Sequence, residues 1–396
     1  MSQIYEFSAR NQNGKRIHGH MEASSETNVI RSLKENGFIA THIEEKQEEP
    51  PFLQRKVPLK ELALVCRQLS AMIRTGVPII QAIRTVKQQI RNKKLHEILD
   101  SVSRDIANGD TVAAAFNKHQ RHFPTLFNKL LYAAEVSGEL DKVLYTLSES
   151  FQKDIKIRSK LRSAFTYPVF ILVFAFMMVT ALIVFVLPTF VNLFGNTDLP
   201  FITKMLMGTN QFLSKNGLYV LIAIGILVFL AINWGKSKDG RKQIDYFLCR
   251  LPIFGDLVRK NVTFRFSQTL HDLHSSGVLI EKSLQIVSEV VNNAYYQKEI
   301  EKVREEVMEG SDIASALQRS GIFPHTLISM IRIGEESGEL DNLLKDVSEY
   351  SQNELEQRIS EVTSFIEPLL LIIVGVFVGL AIIGILLPMY DGMMSV

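Results

Sequence analysis

Two pentapeptides hold the densest cluster of chemically capable side chains in this chain. Ser137-Gly138-Glu139-Leu140-Asp141 returns unchanged as Ser337-Gly338-Glu339-Leu340-Asp341, with Glu135 ahead of the first copy and Glu335-Glu336 ahead of the second. Carboxylates this close could hold a divalent cation through oxygen ligands or offer an acidic surface to a basic partner. They also suit a turn between helices. Gly138 and Gly338 would stop one helix, Ser137 and Ser337 would act as caps, and Glu139, Asp141, Glu339 and Asp341 would favour the positive end of the next. Turn chemistry is the preferred reading. Neither copy has the ligand spacing of a calcium-binding helix-loop-helix, so no metal is assigned.

Other candidate chemistry is weaker. Gly235-Lys236-Ser237 echoes the end of a phosphate-binding loop, but Leu230 stands where the leading glycine is required, and the triplet abuts an apolar run. His271 and His274 lie one helical turn apart beside Asp272 without a signalled third ligand, and His119 and His122 form a similar loop pair. No nucleophile motif, zinc-protease motif or dinucleotide fingerprint occurs, so the chain is read as a non-enzyme without cofactor. Cys66 and Cys249 are too few and too far apart in sequence for a disulfide framework. A net charge of +2 gives no argument for direct nucleic-acid binding.

The turns belong to a larger repeat. Phe165-x-x-Pro168 and Phe365-x-x-Pro368 follow the two acidic turns at equal spacing, each opening a long apolar run. Upstream, Arg67–Ile83 aligns with Gln268–Leu284, setting Gly76-Val77 over Gly277-Val278, Gly109 over Gly310 and Phe123-Pro124 over Phe323-Pro324. Glycine just past a helix takes the left-handed conformation cheaply, and proline suits the first turn of the next helix. Helices joined by such short turns make antiparallel bundles. Leu62, Val65, Leu69, Met72 and Ile73, with Phe266, Leu270 and Leu273 in the second copy, supply apolar faces at helical spacing.

Three apolar runs are long enough to cross a bilayer. Ser163 to Thr197 contains no Asp, Glu, Lys, Arg or His, and Pro168–Leu187 at helical rise covers a hydrocarbon core of about 30 Å. Gly217–Gly235 and Pro368–Pro388 are the others. Basic residues Lys153, Lys156, Arg158, Lys160 and Arg162 precede the first run, and Lys236, Lys238, Arg241 and Lys242 follow the second, against Lys204 and Lys215 between them. That asymmetry places the long segments in the cytoplasm, and three crossings from a cytoplasmic N-terminus leave the C-terminus outside. Met1 to Phe7 lacks the layout of a cleavable signal peptide. None of the runs carries a charge, which argues against a transport path.

The expected organisation is mainly α: two homologous cytoplasmic antiparallel helix bundles, three transmembrane helices and a small N-terminal α+β head. Residues 1–45 form the head, with strands at Ile4–Phe7, Ile17–Glu22 and Phe38–Ile43, a turn at Asn11–Lys15 and a helix over Ser25–Asn36. Residues 46–58 read as linker and 59–165 as the first bundle. The first crossing takes 166–190, an external loop 191–216, the second crossing 217–235, the second bundle 236–365, the third crossing 367–389 and an external tail 390–396.

Tyr167-Pro168 with Pro188, and Glu367-Pro368 followed by Gly375, Gly379 and Pro388, resemble the signature spans of the type II secretion F family. The glycine-centred stretches and the two Glu-x-Ser-Gly-x-Leu turns are similar to its duplicated cytoplasmic domains. Gly375 and Gly379 also form a small-xxx-small pair open to close helix approach. The resemblance implies an inner-membrane platform protein of type IV pilus assembly or type II secretion, in the bacterial cytoplasmic membrane. Its implied partners are a cytoplasmic hexameric ATPase, pilins or pseudopilins, other inner-membrane assembly proteins and further copies of itself. A divalent ion near the first acidic turn would also follow, but Ile80 and Gln81 stand where an upstream carboxylate would be expected, so metal ligation is not carried over. The rival reading is a membrane-anchored scaffold or sensor with no export role, which would not require both halves to share the turn.

Overall fold

A computed structural model describes residues 3–11, 16–23, 25–35, 38–45, 56–189, 201–251 and 254–394. The chain divides into two compact units, Met1–Lys56 and Val57–Val396.

In the first unit, strand β1 (Gln3–Asn11) is central to an antiparallel sheet of order β2-β1-β3, flanked by β2 (Arg16–Ala23) and β3 (Phe38–Glu45). The register runs from Gln3 opposite Ala23 to Arg10 opposite Arg16, and from Tyr5 opposite Glu45 to Asn11 opposite Phe38. A bulge at Ser8/Ala9 shifts the second pairing. Helix α1 (Glu26–Glu35) contributes Val29 and Leu33 to a small core with Ala9. The strands are longer than the alternating segments that signal them, because backbone pairing continues past the last apolar residue. Of the expected turn at Asn11–Lys15, Asn11 ends β1, and residues 12–15, like most of the linker, 46–55, lie outside the described residues.

The second unit is helical and twofold repeated. Its first repeat comprises α2 (Leu59–Arg74), α3 (Ile79–Gln89), α4 (Lys93–Ala107), α5 (Val112–Asn117), a 3₁₀ turn (Gln120–His122), α6 (Thr125–Ser137) and α7 (Leu140–Ala181), which runs on through a π turn (Leu182–Val186). Next come α8 (Phe201–Lys236) and α9 (Lys238–Arg250). The second repeat is α10 (Phe254–His274), α11 (Ile280–Val290), α12 (Ala294–Met308), α13 (Ile313–Ser320), α14 (His325–Ser337) and α15 (Leu340–Met394).

The repeated glycines sit where the repeat places them. Gly138 and Gly338 take φ of 76° and 72° after α6 and α14, a left-handed conformation that a Cβ would strain. Proline precedes the first helical residue of α3, α6 and α14 at Pro78, Pro124 and Pro324. The core is one contiguous cluster rather than two. Leu62, Leu69, Ile83, Leu99, Phe127 and Leu147 from the first repeat join Phe266, Leu270, Leu284, Ile300, Leu317 and Leu344 from the second.

Among the described residues two helices are long and apolar enough to cross a bilayer, in Leu140–Thr189 and Leu340–Leu387. Their apolar side chains point outward, with Phe170 65% and Phe176 66% exposed, as expected of a surface solvated by lipid rather than water. Neither helix breaks where bundle gives way to apolar run, although a proline stands at that point in each, Pro168 and Pro368. Pro168 lies inside α7.

Helix α8 begins at Phe201, ahead of the run at Gly217, and so occupies much of the expected external loop. Its first turns are held by tertiary contacts: Thr203 Oγ1 donates to the Gly384 carbonyl at 2.8 Å, and Asn210 Nδ2 donates to the Ile183 carbonyl in the π turn at 2.8 Å. Residues 190–200 lie outside the described residues. The backbone is helical to Met394, where a short tail was expected, while the side chains of 388–396 are outside the described set.

Candidate functional site

Both acidic turns sit at the same place in their repeats, closing α6 before α7 and α14 before α15. The carboxylates ahead of the pentapeptides reach away from the turn. Glu135 Oε1 accepts from the backbone N–H of Val112 at 2.6 Å and Ala113 at 3.4 Å. Glu335 accepts from Ile313 at 2.7 Å through Oε1 and from Ala314 at 2.9 Å through Oε2. Each binds otherwise unpaired N–H groups at the start of the short helix α5 or α13, where a carboxylate is favoured by hydrogen bonding and by the helix dipole together. Thr111 and Asp312 act as the local N-caps of those helices, accepting from Ala114 and Ser315. Glu135 also lines a 560 Å³ cleft with Tyr132, Lys129, Asn128 and Lys282.

Within the pentapeptides the partners are local. Glu139 N and Glu339 N each lie 3.4 Å from the preceding serine Oγ, Ser137 and Ser337. Glu139 pairs with Lys142 at 3.1 Å, and Glu339 accepts from Asn342 Nδ2 at 2.6 Å. The aspartates differ. Asp141 offers its backbone carbonyl to Ser70 Oγ at 2.7 Å, whereas the Asp341 carboxylate meets His274 Nδ1 at 2.6 Å. The repeat alignment sets Ile73 opposite His274, which explains the absence of the imidazole contact in the first copy. His274 is thereby joined to the second acidic turn, and His271, on the same helix, is shifted below the usual histidine range chiefly by burial. Among the described residues no group of three or more potential metal ligands converges.

The membrane-signature residues do not form one site. Tyr167 is exposed and Pro168 buried in α7, Glu367 and Pro368 are exposed on α15, and Pro188 lies in the helical turn that follows the π turn. A Cβ added at Gly375 or Gly379 would meet nothing within 4 Å, so that pair is uncovered within this chain. Gly384, by contrast, is pressed against the Leu206 side chain of α8.

Sequence patterning held no sign of the joint between the repeats, where α7 runs beside α10 and α15. Lys153 Nζ donates to Gln268 Oε1 at 2.9 Å, and Ser348 Oγ donates to the same oxygen at 2.7 Å. Gln268 Nε2 in turn donates to Asp272 Oδ1 at 2.7 Å. Asp272 is 1% exposed. Burial pushes its carboxyl up to about 7, with Ser150, Gln268 and Lys153 partly offsetting the effect. Towards the membrane, Asp154 meets Arg265 at 3.4 Å, and Lys156 and Lys160 both meet Glu356, at 2.7 and 3.4 Å. Below the apolar runs, Ile157, Phe264, Leu355 and Ile359 close the joint as a buried apolar cluster. Only the repeat correspondence could have located it, since polar residues spaced along α7 read simply as a solvated face.

The geometry defines a duplicated helical protein with apolar helices growing directly out of both repeats and a polar joint between them. Its two repeats match the family described as type II secretion system (T2SS), protein F, over residues 65–188 and 266–388, and residues 1–44 match that protein's N-terminal domain. The chain belongs to this family. A type IV pilus assembly protein PilC of Thermus thermophilus is 33% identical over 98% of this chain and 97% of its own length. The type II secretion system protein F of Pseudomonas aeruginosa is 30% identical over 97% of each, and a PilC from the same organism is 29% identical over 85% of this chain and 91% of its own. None of these names denotes an enzymatic activity.

Proposed function

We propose that this chain is a non-enzymatic inner-membrane platform of a type IV pilus assembly or type II secretion machine. In this reading it couples a cytoplasmic assembly ATPase to the incorporation of pilins or pseudopilins, alongside other inner-membrane assembly proteins and further copies of itself. Near full-length similarity to proteins named for both machines supports the class. The observation that carries the coupling is the joint: α7 and α15 leave the fused bundles as unbroken helices, tied directly through Lys156/Lys160–Glu356 and by way of α10 through Asp154–Arg265 and through Gln268, which Lys153 of α7 and Ser348 of α15 both reach. A helix of 42 or 55 residues spans about 60 or 80 Å, so displacement of the bundles is passed along rigid elements. Energy comes from the partner.

The topology in this proposal has α7, α8 and α15 crossing, both bundles in the cytoplasm and the C-terminus outside. Deleting the gene should abolish surface filaments or secretion of substrates, and the intact gene should restore them. A deletion strain that keeps all such export favours the scaffold or sensor reading. For topology, a Thr209→Cys variant should react with an impermeant thiol reagent in intact cells and an Asn108→Cys variant should not. Cys66 is fully buried and its thiol is pushed up by that burial, so it adds no background, and half-buried Cys249 is replaced by Ser in both variants.

A further inference from the structure

The duplication makes two equivalent grooves, one between α2 and α7 and one between α10 and α15, and the sequence has treated them in opposite ways. In the first repeat the groove is open, with a volume of 780 Å³, and is lined by Lys60, Ala63 and Arg67 of α2 and by Lys156, Ser159 and Lys160 of α7, among others. At the matching positions of the second repeat stand Asn261, Phe264 and Gln268 on α10, and Glu356, Ile359 and Ser360 on α15. Phe264 is 2% exposed and fills its groove against Ile157, Leu355 and Ile359. Where the second copy has a phenyl ring and a carboxylate, the first has the small side chain of Ala63 and an extra lysine.

Charge in the open groove is not balanced. Arg67 pairs with Glu149 at 2.5 Å, while Lys156 and Lys160 share the single carboxylate of Glu356. Lys60 has no ion pair among the described residues. Four cations thus face two carboxylates, and the hydroxyls of Ser159 and Ser163 lie on the same wall. The helices run antiparallel here, since Ser70 meets Asp141 and Arg67 meets Glu149. The groove therefore opens at Lys60 and Ser163, where the apolar run of α7 begins and Phe165 and Tyr167 turn outward. Leu64, 52% exposed, and Ile155 give it an apolar lining.

We propose that the α2–α7 groove binds an anionic phospholipid, with Lys60, Lys156 and Lys160 around the headgroup phosphate, Ser159 and Ser163 donating to it, and an acyl chain along Leu64 and the outward face of α7. This rests on α7 crossing the bilayer and not on the assembly role. A basic site at the cytoplasmic border of a crossing helix meets the leaflet that carries anionic lipid. The unpaired positive charge favours that lipid over a zwitterionic one.

The test uses the full chain purified in detergent and titrated with phosphatidylglycerol, phosphatidylcholine or glycerol 1-phosphate, with binding read by native mass spectrometry. Phosphatidylglycerol should bind in preference to phosphatidylcholine. Lys60→Gln with Lys160→Gln should weaken it by roughly tenfold or more, while Lys94→Gln with Lys129→Gln leaves it unchanged. Ala63→Phe, which copies the second repeat, should block binding without altering charge. Should that variant fail to fold, the lysine pair decides, provided its melting temperature matches the parent. Equal binding of both phospholipids, wild-type affinity in the folded lysine pair, or equally tight binding of glycerol 1-phosphate would overturn the proposal. Loss of export in cells with lipid binding intact would sink the platform reading and leave this site standing.

Discussion

Glu135 and Glu335 do their visible work on backbone N–H groups more than twenty residues upstream, at the starts of α5 and α13. The sequence reveals the turn they precede but not this reach, because the distance is closed by tertiary folding. Charge-assisted bonds to helix N-termini are lost on neutralisation or truncation. Glu135→Ala and Glu335→Ala should each lower unfolding stability by about 1–3 kcal/mol, whereas Glu139→Gln and Glu339→Gln, at exposed local pairs, should change it by well under about 1 kcal/mol. Thermal melts of the four variants check this. Retained stability with lost binding of the ATPase partner proposed above would instead make the acidic turns a contact surface.

Asp272 is the other residue whose chemistry can be read directly. Its carboxyl is raised from 3.8 to about 7 by burial, so folding takes up a proton between those values. Stability tied to that proton is complete below about pH 4 and is lost as pH rises through about 7. Lys153 and Asp154 on α7 are the charges facing it. Asp272→Asn keeps an oxygen for Gln268 and removes this titration, so its stability should follow only the remaining groups, His271 among them, over this window. It should exceed the parent at pH 8 by at most about 4 kcal/mol and lose that advantage at pH 4. Parallel melting curves for parent and variant from pH 4 to 8 would contradict the assignment.

At the scale of elements, glycines and prolines made much of the layout legible. Gly76, Gly138, Gly277 and Gly338 each take positive φ after a helix, which is why they punctuate both halves alike. The start of α8 was not legible, because the signal at Gly217 is length of apolar run, while the turns from Phe201 are fixed by partners distant in sequence. The π turn at Leu182–Val186 is likewise invisible in composition; its Ile183 carbonyl accepts from Asn210. Close approach of α8 to α15 depends on Gly384, where a side chain would overlap Leu206. Gly384→Val should therefore destabilise the detergent-solubilised protein by about 1–3 kcal/mol, while Gly375→Val, at an open position, should have little effect on the isolated chain. Equal melting temperatures for the two variants would show that this contact does not hold the helices together.

Across the whole molecule, duplication is plain in the sequence, whereas fusion of the two repeats is not. Alignment finds paired turns, but a shared core emerges only when Phe266 and Leu270 prove to belong with Leu62 and Leu69, and no periodicity within either copy encodes that. The polar side of the joint is the part that can be tested by exchange. Asp154 and Arg265 are both largely buried, 22% and 19% exposed at their side chains, so removing one partner leaves a poorly solvated charge. Asp154→Arg should impair export and loosen the bundle towards protease at α7. Arg265→Asp should do the same alone, and the two together should recover much of both properties. Recovery should be less than full, because Arg158, which pairs with Asp154 at 3.6 Å, would then face a second guanidinium one helical turn away. A surface role for either residue predicts no recovery in the double variant. Recovery of protease resistance without export would mean that the joint stabilises the fold but is not the path along which movement is passed.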